Sequence, residues 1–263
     1  MELIKNEHEK SKLFAFNTIT HRQRELVVIS QRNVTIAESM IRNDSGFYKM
    51  ANVNMQPAPG FEDKPHLYQG SSAFWFTKLK ELKDGKENKY SVEQIIKYAV
   101  NAVDRENSTH LNSDGVGREQ IKKRIVDVYK TGRLFELLKN PGEKYYLFHK
   151  IAEETEPEDE NKSKRTNYSF ASKFCHYASF YLFDGEKEQD NYSIWDSVIR
   201  KSLKFYFDLY NLKVSDYNFD EYESYQDAII KVITCSQEKV SRNGFDHLIW
   251  LYYRGRLSLD EYK

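Results

Sequence analysis

The sequence predicts an all-α protein, and three observations carry that expectation. Apolar residues recur at the 3.6-residue helical period in successive windows from residue 91 onward. There is no βαβ alternation, and no glycine-rich loop sits between a strand and a helix. Turn signals such as Asn140-Pro-Gly142 separate the helical windows.

In chain order, residues 1–68 read as an N-terminal extension packing on the main body, and residues 69–263 as the helical domain. Leu26-Val-Val-Ile-Ser30 fits a strand or a buried helical turn, and periodicity does not choose between them. Residues 55–65 hold three of the five prolines and mark a linker or extended segment. Ser91-Val-Glu-Gln94 is a capping-box pattern, with the serine and glutamine placed to bond each other's backbone N–H. Ile95, Ile96, Ala99, Val100 and Val103 follow on one helical face. Residues 119–130 repeat the pattern with Ile121, Ile125, Val128 and Tyr129. Short helices over 133–139 and 144–153 flank the Asn-Pro-Gly turn. Residues 154–168 are polar and charged, which predicts a surface loop. Helices are expected over 169–182, 197–211, 223–235 and 244–254.

Composition bounds the function. The 263 residues are 40% hydrophobic and 14% aromatic, enough for a sizeable core. Charged residues make up 30%, and the mean hydropathy is −0.76, as in a soluble protein. No run approaches the roughly 20 apolar residues that span a bilayer. Met1–His8 lacks the apolar core of a signal peptide, so a cytoplasmic location is expected. Two cysteines, Cys175 and Cys235, make no disulfide framework and are too few for an iron–sulfur cluster. No His/Cys/Asp/Glu group has metal-ligand spacing, so no metal or cofactor is expected. The net charge is zero, whereas nucleic-acid binders usually carry a basic excess. The charge is uneven, however. Residues 118–133 hold six basic and two acidic side chains, the makings of a basic face.

Two residues carry the chemistry. Lys173 lies among Phe170, Ala171, Phe174, Cys175, Tyr177 and Ala178. Burial among such neighbours disfavours an ammonium ion, and a neutral amine is a nucleophile. The bland alternative is a lysine that snorkels to solvent with its stem on the core. Asp196 precedes Ser197-Val-Ile-Arg-Lys-Ser-Leu, where a helix N-cap is expected. The same position lets the helix dipole favour the ionised carboxylate, which would stabilise a developing sugar cation. His176 and His247 are read as capping or surface histidines.

Ser169-Phe-Ala-Ser-Lys-Phe-Cys-His-Tyr177 and Tyr192-Ser-Ile-Trp-Asp-Ser197 together resemble the lysine helix and aspartate turn of helix-hairpin-helix DNA glycosylases. Among these the likeness is to 8-oxoguanine glycosylases, in particular a divergent bacterial group with that fold. The sharp part is residues 169–203, within a span of 71–255. The resemblance implies a helix-hairpin-helix glycosylase-like domain and removal of a damaged or modified base, with or without strand nicking. It implies Lys173 as nucleophile and Schiff-base residue, Asp196 as electrostatic stabiliser, and double-stranded DNA with a modified base as partner. The family's aromatic on a late helix points to Phe245 as a base-stacking residue, although aromatics at helical spacing also build cores. Two departures stand out. Residues 166–172 contain no glycine where the family hairpin brings backbone N–H groups to a phosphate. Ser197 replaces a histidine-like residue. Gly115-Val-Gly117 reads as a loop before a helix.

Two other readings stay open. One is a glycosylase-fold protein that binds without cleaving. The other rests on Arg242-Asn-Gly-Phe-Asp-His247, whose Arg-Asn-x-x-x-His pattern resembles HEPN-type ribonucleases. There Arg242 and His247 would act on an RNA phosphate at a dimer interface, in phage defence.

Overall fold

The computed structural model describes residues 14–15, 23–24, 26–43, 70–107, 109, 111, 116–142, 144–157, 161, 163–255 and 257. Among these the architecture is helical. The exceptions are a two-residue antiparallel ladder, β1 (Phe14–Ala15) with β2 (Gln23–Arg24), an isolated bridge between Thr155 and Arg165, and a bridge residue at Val27. The chain forms two compact units. A terminal unit comprises Met1–Arg42 with Trp195–Lys263, and a central unit comprises Asn43–Ile194. Residues 55–65, the expected linker, lie outside the described residues, as does most of 1–68. Among the described residues no helix is long and apolar enough to cross a membrane.

The central unit holds α2 (Ser72–Lys83), α3 (Val92–Asn107), α4 (Val116–Lys130), α5 (Leu134–Lys139), α6 (Tyr146–Ala152) and α7 (Tyr168–Leu182). Each start has a local cause. Ser71 caps α2 by accepting from Phe74 N–H at 2.9 Å, and the Glu106 carboxylate accepts from Ser72 N–H at 2.9 Å. The expected capping box opens α3: Gln94 N–H donates to Ser91 Oγ at 3.2 Å, and Ser91 N–H to Gln94 Oε1 at 2.9 Å. The turn at Asn140-Pro-Gly142 separates α5 from α6, with Gly142 at φ +68°. Every residue of α7 from Phe170 to Phe180 is buried, so this helix is apolar on all sides, the mark of a core helix. It packs against α2, α3, α5 and α6.

The terminal unit holds α1 (Gln31–Asn43), α8 (Ser197–Leu209), α9 (Tyr222–Ser236) and α10 (Arg242–Tyr253). Leu26–Ser30 is non-helical. Buried tyrosines satisfy its backbone: Val27 N–H donates to Tyr253 Oη at 3.3 Å, and Tyr206 Oη donates to the Val27 carbonyl at 2.6 Å. This accounts for an apolar stretch too irregular for periodicity to assign. Helices α1 and α10 approach closely at Gly244. A Cβ there would sit 2.3 Å from Val34 Cγ1 and 3.0 Å from Ser241 Oγ.

Gly244→Ala is expected to destabilise the protein by about 1–2 kcal/mol, because overpacking outweighs alanine's better helix propensity. Adding Val34→Ala should recover part of that loss, and urea unfolding of the double-mutant cycle measures the coupling. Additive losses would show that the two positions do not collide.

Tyr192 in the central unit and Tyr206 in the terminal unit are buried as neutral donors. Tyr192 Oη donates to the Leu137 carbonyl at 2.8 Å, and burial pushes both phenols well above their ordinary 10.0. The unfolded chain ionises these groups near pH 10 while the folded chain resists. Stability is therefore level below that pH and falls above it by about 1.4 kcal/mol per pH unit for each such tyrosine. Part of the tyrosinate absorbance should appear only with the loss of helical circular dichroism, and ionisation of all the tyrosines ahead of unfolding would contradict this.

Candidate functional site

Lys173 stands in the middle of α7 and is only 4% exposed. It does not snorkel to solvent. Its Nζ donates to the Asn107 carbonyl at 3.4 Å and to Ser169 Oγ at 3.3 Å, one turn back on its own helix. Asn107, the last residue of α3, also faces α7 through its side chain, whose Oδ1 accepts from Tyr177 Oη at 3.4 Å. The amine is thus tethered rather than free-swinging. Neither thiol nor imidazole on this helix is poised for chemistry. Cys175 is fully buried and burial raises its thiol well above the ordinary range, which leaves it a weak nucleophile. His176 is buried, not on the surface as its sequence context implied, with Nδ1 2.9 Å from the Tyr192 carbonyl.

Asp196 belongs to the terminal unit and Lys173 to the central one. Asp196 is the N-cap of α8, as the sequence predicted, with extended backbone (φ −128°, ψ 144°). Its Oδ1 accepts from Val198 N–H at 2.7 Å. The carboxylate is buried, and Arg254 Nη2 reaches its second oxygen at 3.4 Å. Beside it Trp195 packs against Tyr222 and Tyr225, and the Arg200 guanidinium lies 4.7 Å from the Trp195 ring centre while also pairing with Asp220.

The remaining candidates are core. Phe245 is fully buried, edge-on to Tyr206 at 6.2 Å, so its ring is packing and not an open platform. His247 is 2% exposed, again buried rather than superficial. Arg242 is half-buried and donates to Gln226 Oε1 at 2.9 Å.

The stretch expected to form a basic face is largely engaged within the central unit. Arg118 pairs with buried Asp104 at 2.8 Å, whose Oδ1 also accepts from Thr109 Oγ1 and Leu111 N–H. Arg124 donates to the carbonyls of Glu153 and Glu154 at 2.6 and 2.5 Å. Lys130 pairs with Glu93 at 3.0 Å, and Lys122 pairs with Glu119. Lys123 stays exposed.

In the connection from α6 to α7, where a glycine hairpin would offer amides to phosphate, the Thr155, Arg165 and Asn167 amides bond backbone carbonyls. Thr155 and Arg165 exchange backbone bonds at 3.0 and 3.3 Å, and Asn167 N–H donates to the Ala152 carbonyl at 3.1 Å. Asn167 Nδ2 ties the strands further, to Glu153 O, Thr155 Oγ1 and Arg165 O. Gly117 faces the same place: it opens α4 two positions along, and a Cβ there would lie 3.3 Å from Thr155 Oγ1. Among the described residues no group of three or more His, Cys, Asp and Glu could hold a metal ion.

Sequence reasoning missed Asn107, Asn167 and Arg124. Asn167 is adjacent to α7, and an asparagine before an apolar helix is a turn or cap signal. Asn107 and Arg124 act across the fold and carry no local signature.

Asp196→Ala should cost about 1–2 kcal/mol through the lost cap, whereas Asp196→Asn should cost clearly less, since asparagine caps as well as aspartate. Chemical denaturation measures the pair, and equal losses would mean that the charge beside Arg254 matters more than the cap.

No family model, curated protein or solved structure matches this chain.

Proposed function

We propose that the protein is a DNA N-glycosylase with lyase activity, using Lys173 as its nucleophile. The observation that carries this reading is a lysine 4% exposed at the centre of an entirely buried helical stretch. Lysines are almost never fully buried without a reason, and an amine withdrawn from water is the form that covalent catalysis uses. The lysine amine attacks C1′ of the nucleoside sugar, and the C1′–N bond breaks with its electron pair leaving on the base, which is protonated. Ring opening gives an imine between Nζ and C1′. Loss of a proton from C2′ then expels the 3′ phosphate, and hydrolysis returns the lysine. Asp196 is a carboxylate at a helix N-terminus, where backbone N–H groups favour negative charge.

A second reading, binding without cleavage, rests on the connection to α7: it has no glycine, and the Thr155 and Arg165 amides bond each other's carbonyls rather than facing a phosphate. The ribonuclease reading rests on a spacing match alone, and Arg242 donates to Gln226.

Borohydride reduction of the protein mixed with duplexes carrying an abasic site or 8-oxoguanine separates these readings. A trapped covalent adduct in wild type, lost in Lys173→Ala, is expected. Equal trapping by both proteins removes Lys173 as nucleophile. Binding of the abasic duplex with no adduct from either protein favours the second reading.

A further inference from the structure

We infer that the exposed ring of Tyr98, backed by Trp75, is a stacking platform for a base of single-stranded DNA. The choice of DNA rests on the function proposed above; the stacking geometry does not. Tyr98 lies on α3 and is 39% exposed, although most of the protein's large apolar side chains are buried. Its ring is stacked on Trp75, with centroids 4.6 Å apart and planes 22° from parallel. Trp75 is itself buried and held edge-on by Phe74 at 4.9 Å and Tyr90 at 5.1 Å. One face of the Tyr98 ring is therefore covered by a fixed partner, and the ring cannot swing away without losing that stack. A rigid aromatic surface of this kind is what a base needs, because every base has a π-face and stacking is tolerant of sequence.

The surrounding charge fits a polyanion. Lys97 precedes Tyr98 on the same helix and is exposed, and exposed Lys89 sits 5.0 Å from the centre of the Tyr90 ring. Two nearby carboxylates are engaged, Glu81 by Lys78 at 2.8 Å and by Asn88, and Glu93 by Lys130, while Glu87 is exposed two positions before Lys89. Among the described ion pairs, neither Lys89 nor Lys97 has a carboxylate partner, so both ammonium groups remain available to phosphates. A protein partner is a poorer fit. The helical neighbours of Tyr98 on its exposed side are Gln94, Lys97 and half-buried Asn101, and these make no continuous apolar patch.

Fluorescence anisotropy of the full chain with labelled oligo-dT tests this. Tyr98→Leu, which keeps apolar contact with Trp75 but has no π-face, should weaken binding about tenfold, and Tyr98→Ala at least as much. Tyr98→Phe should stay within about twofold. Lys97→Gln should lower the slope of log affinity against log salt by about 0.7. Oligo-dT offers no abasic site to an amine, so the two readings fail separately: loss of the borohydride adduct with ring-dependent oligo-dT binding intact removes only the lyase reading. Unchanged affinity in Tyr98→Leu overturns the proposal. So does ring-dependent binding of oligo-rU without oligo-dT, and so does a Tyr98→Leu effect confined to self-association in sedimentation, which would assign the ring to a protein contact.

Discussion

Burial of α7 is the constraint on which the central unit depends. With Phe170 to Phe180 wholly enclosed, every polar atom on the helix must find a partner from an element packed around it. An unmet donor there costs about 1–3 kcal/mol. The solutions are visible residue by residue. Ser172 Oγ turns back to the Ser169 carbonyl, His176 meets the Tyr192 carbonyl, and Lys173 reaches Asn107 and Ser169. Ser179 Oγ is the exception, buried with no partner among the described residues. Two of these bonds fix elements that follow or precede α7: His176 anchors the chain leaving the helix at Tyr192, and Lys173 anchors the end of α3. The Tyr192 hydroxyl extends the chain of support to the end of α5 through Leu137.

The terminal unit solves a related problem differently. In its irregular segment, Leu26–Ser30, side-chain hydroxyls from α8 and α10 bond the backbone at Val27. That arrangement needs α1 close to α10, and Gly244 permits the approach. The Arg-Asn-x-x-x-His pattern falls on this same closely packed helix. Asn243 and His247 are buried there with Phe245 and Leu248, so a motif matched by spacing has been spent on packing.

The helices were legible in the sequence because their causes are local. The capping box at Ser91, the Asn-Pro-Gly turn and the cap at Asp196 involve residues at most a few positions apart, and each appears where the pattern puts it. Helix α1 escaped notice because the prolines at 55–65 drew residues 1–68 together as one extension, and α2 because its continuous apolar run, Ala73–Phe76, shows no helical period. Burial was only partly legible. Periodicity marked the faces of α3 and α4, but a helix enclosed all round has no face to mark, so the depth of His176 was invisible and that of Lys173 stayed open between burial and snorkelling. The fate of the basic stretch was equally hidden, because Asp104, Glu93 and the Glu153 carbonyl approach it only through the tertiary fold.

Charge then separates two kinds of surface on one neutral chain. Cations that find buried or structural acceptors, such as Arg118 on Asp104, are worth more to folding than to any ligand, since removing them strands a buried carboxylate. Cations left without acceptors, such as Lys89 and Lys97, add little to stability and cost nothing when an anion approaches. Net charge cannot tell these apart, and neither can local density: Arg118, Arg124 and Lys130 in the densest basic stretch already have partners. The platform proposed at Tyr98 relies instead on cations that are few but unspent, with an exposed aromatic ring to supply the contact that charge alone does not.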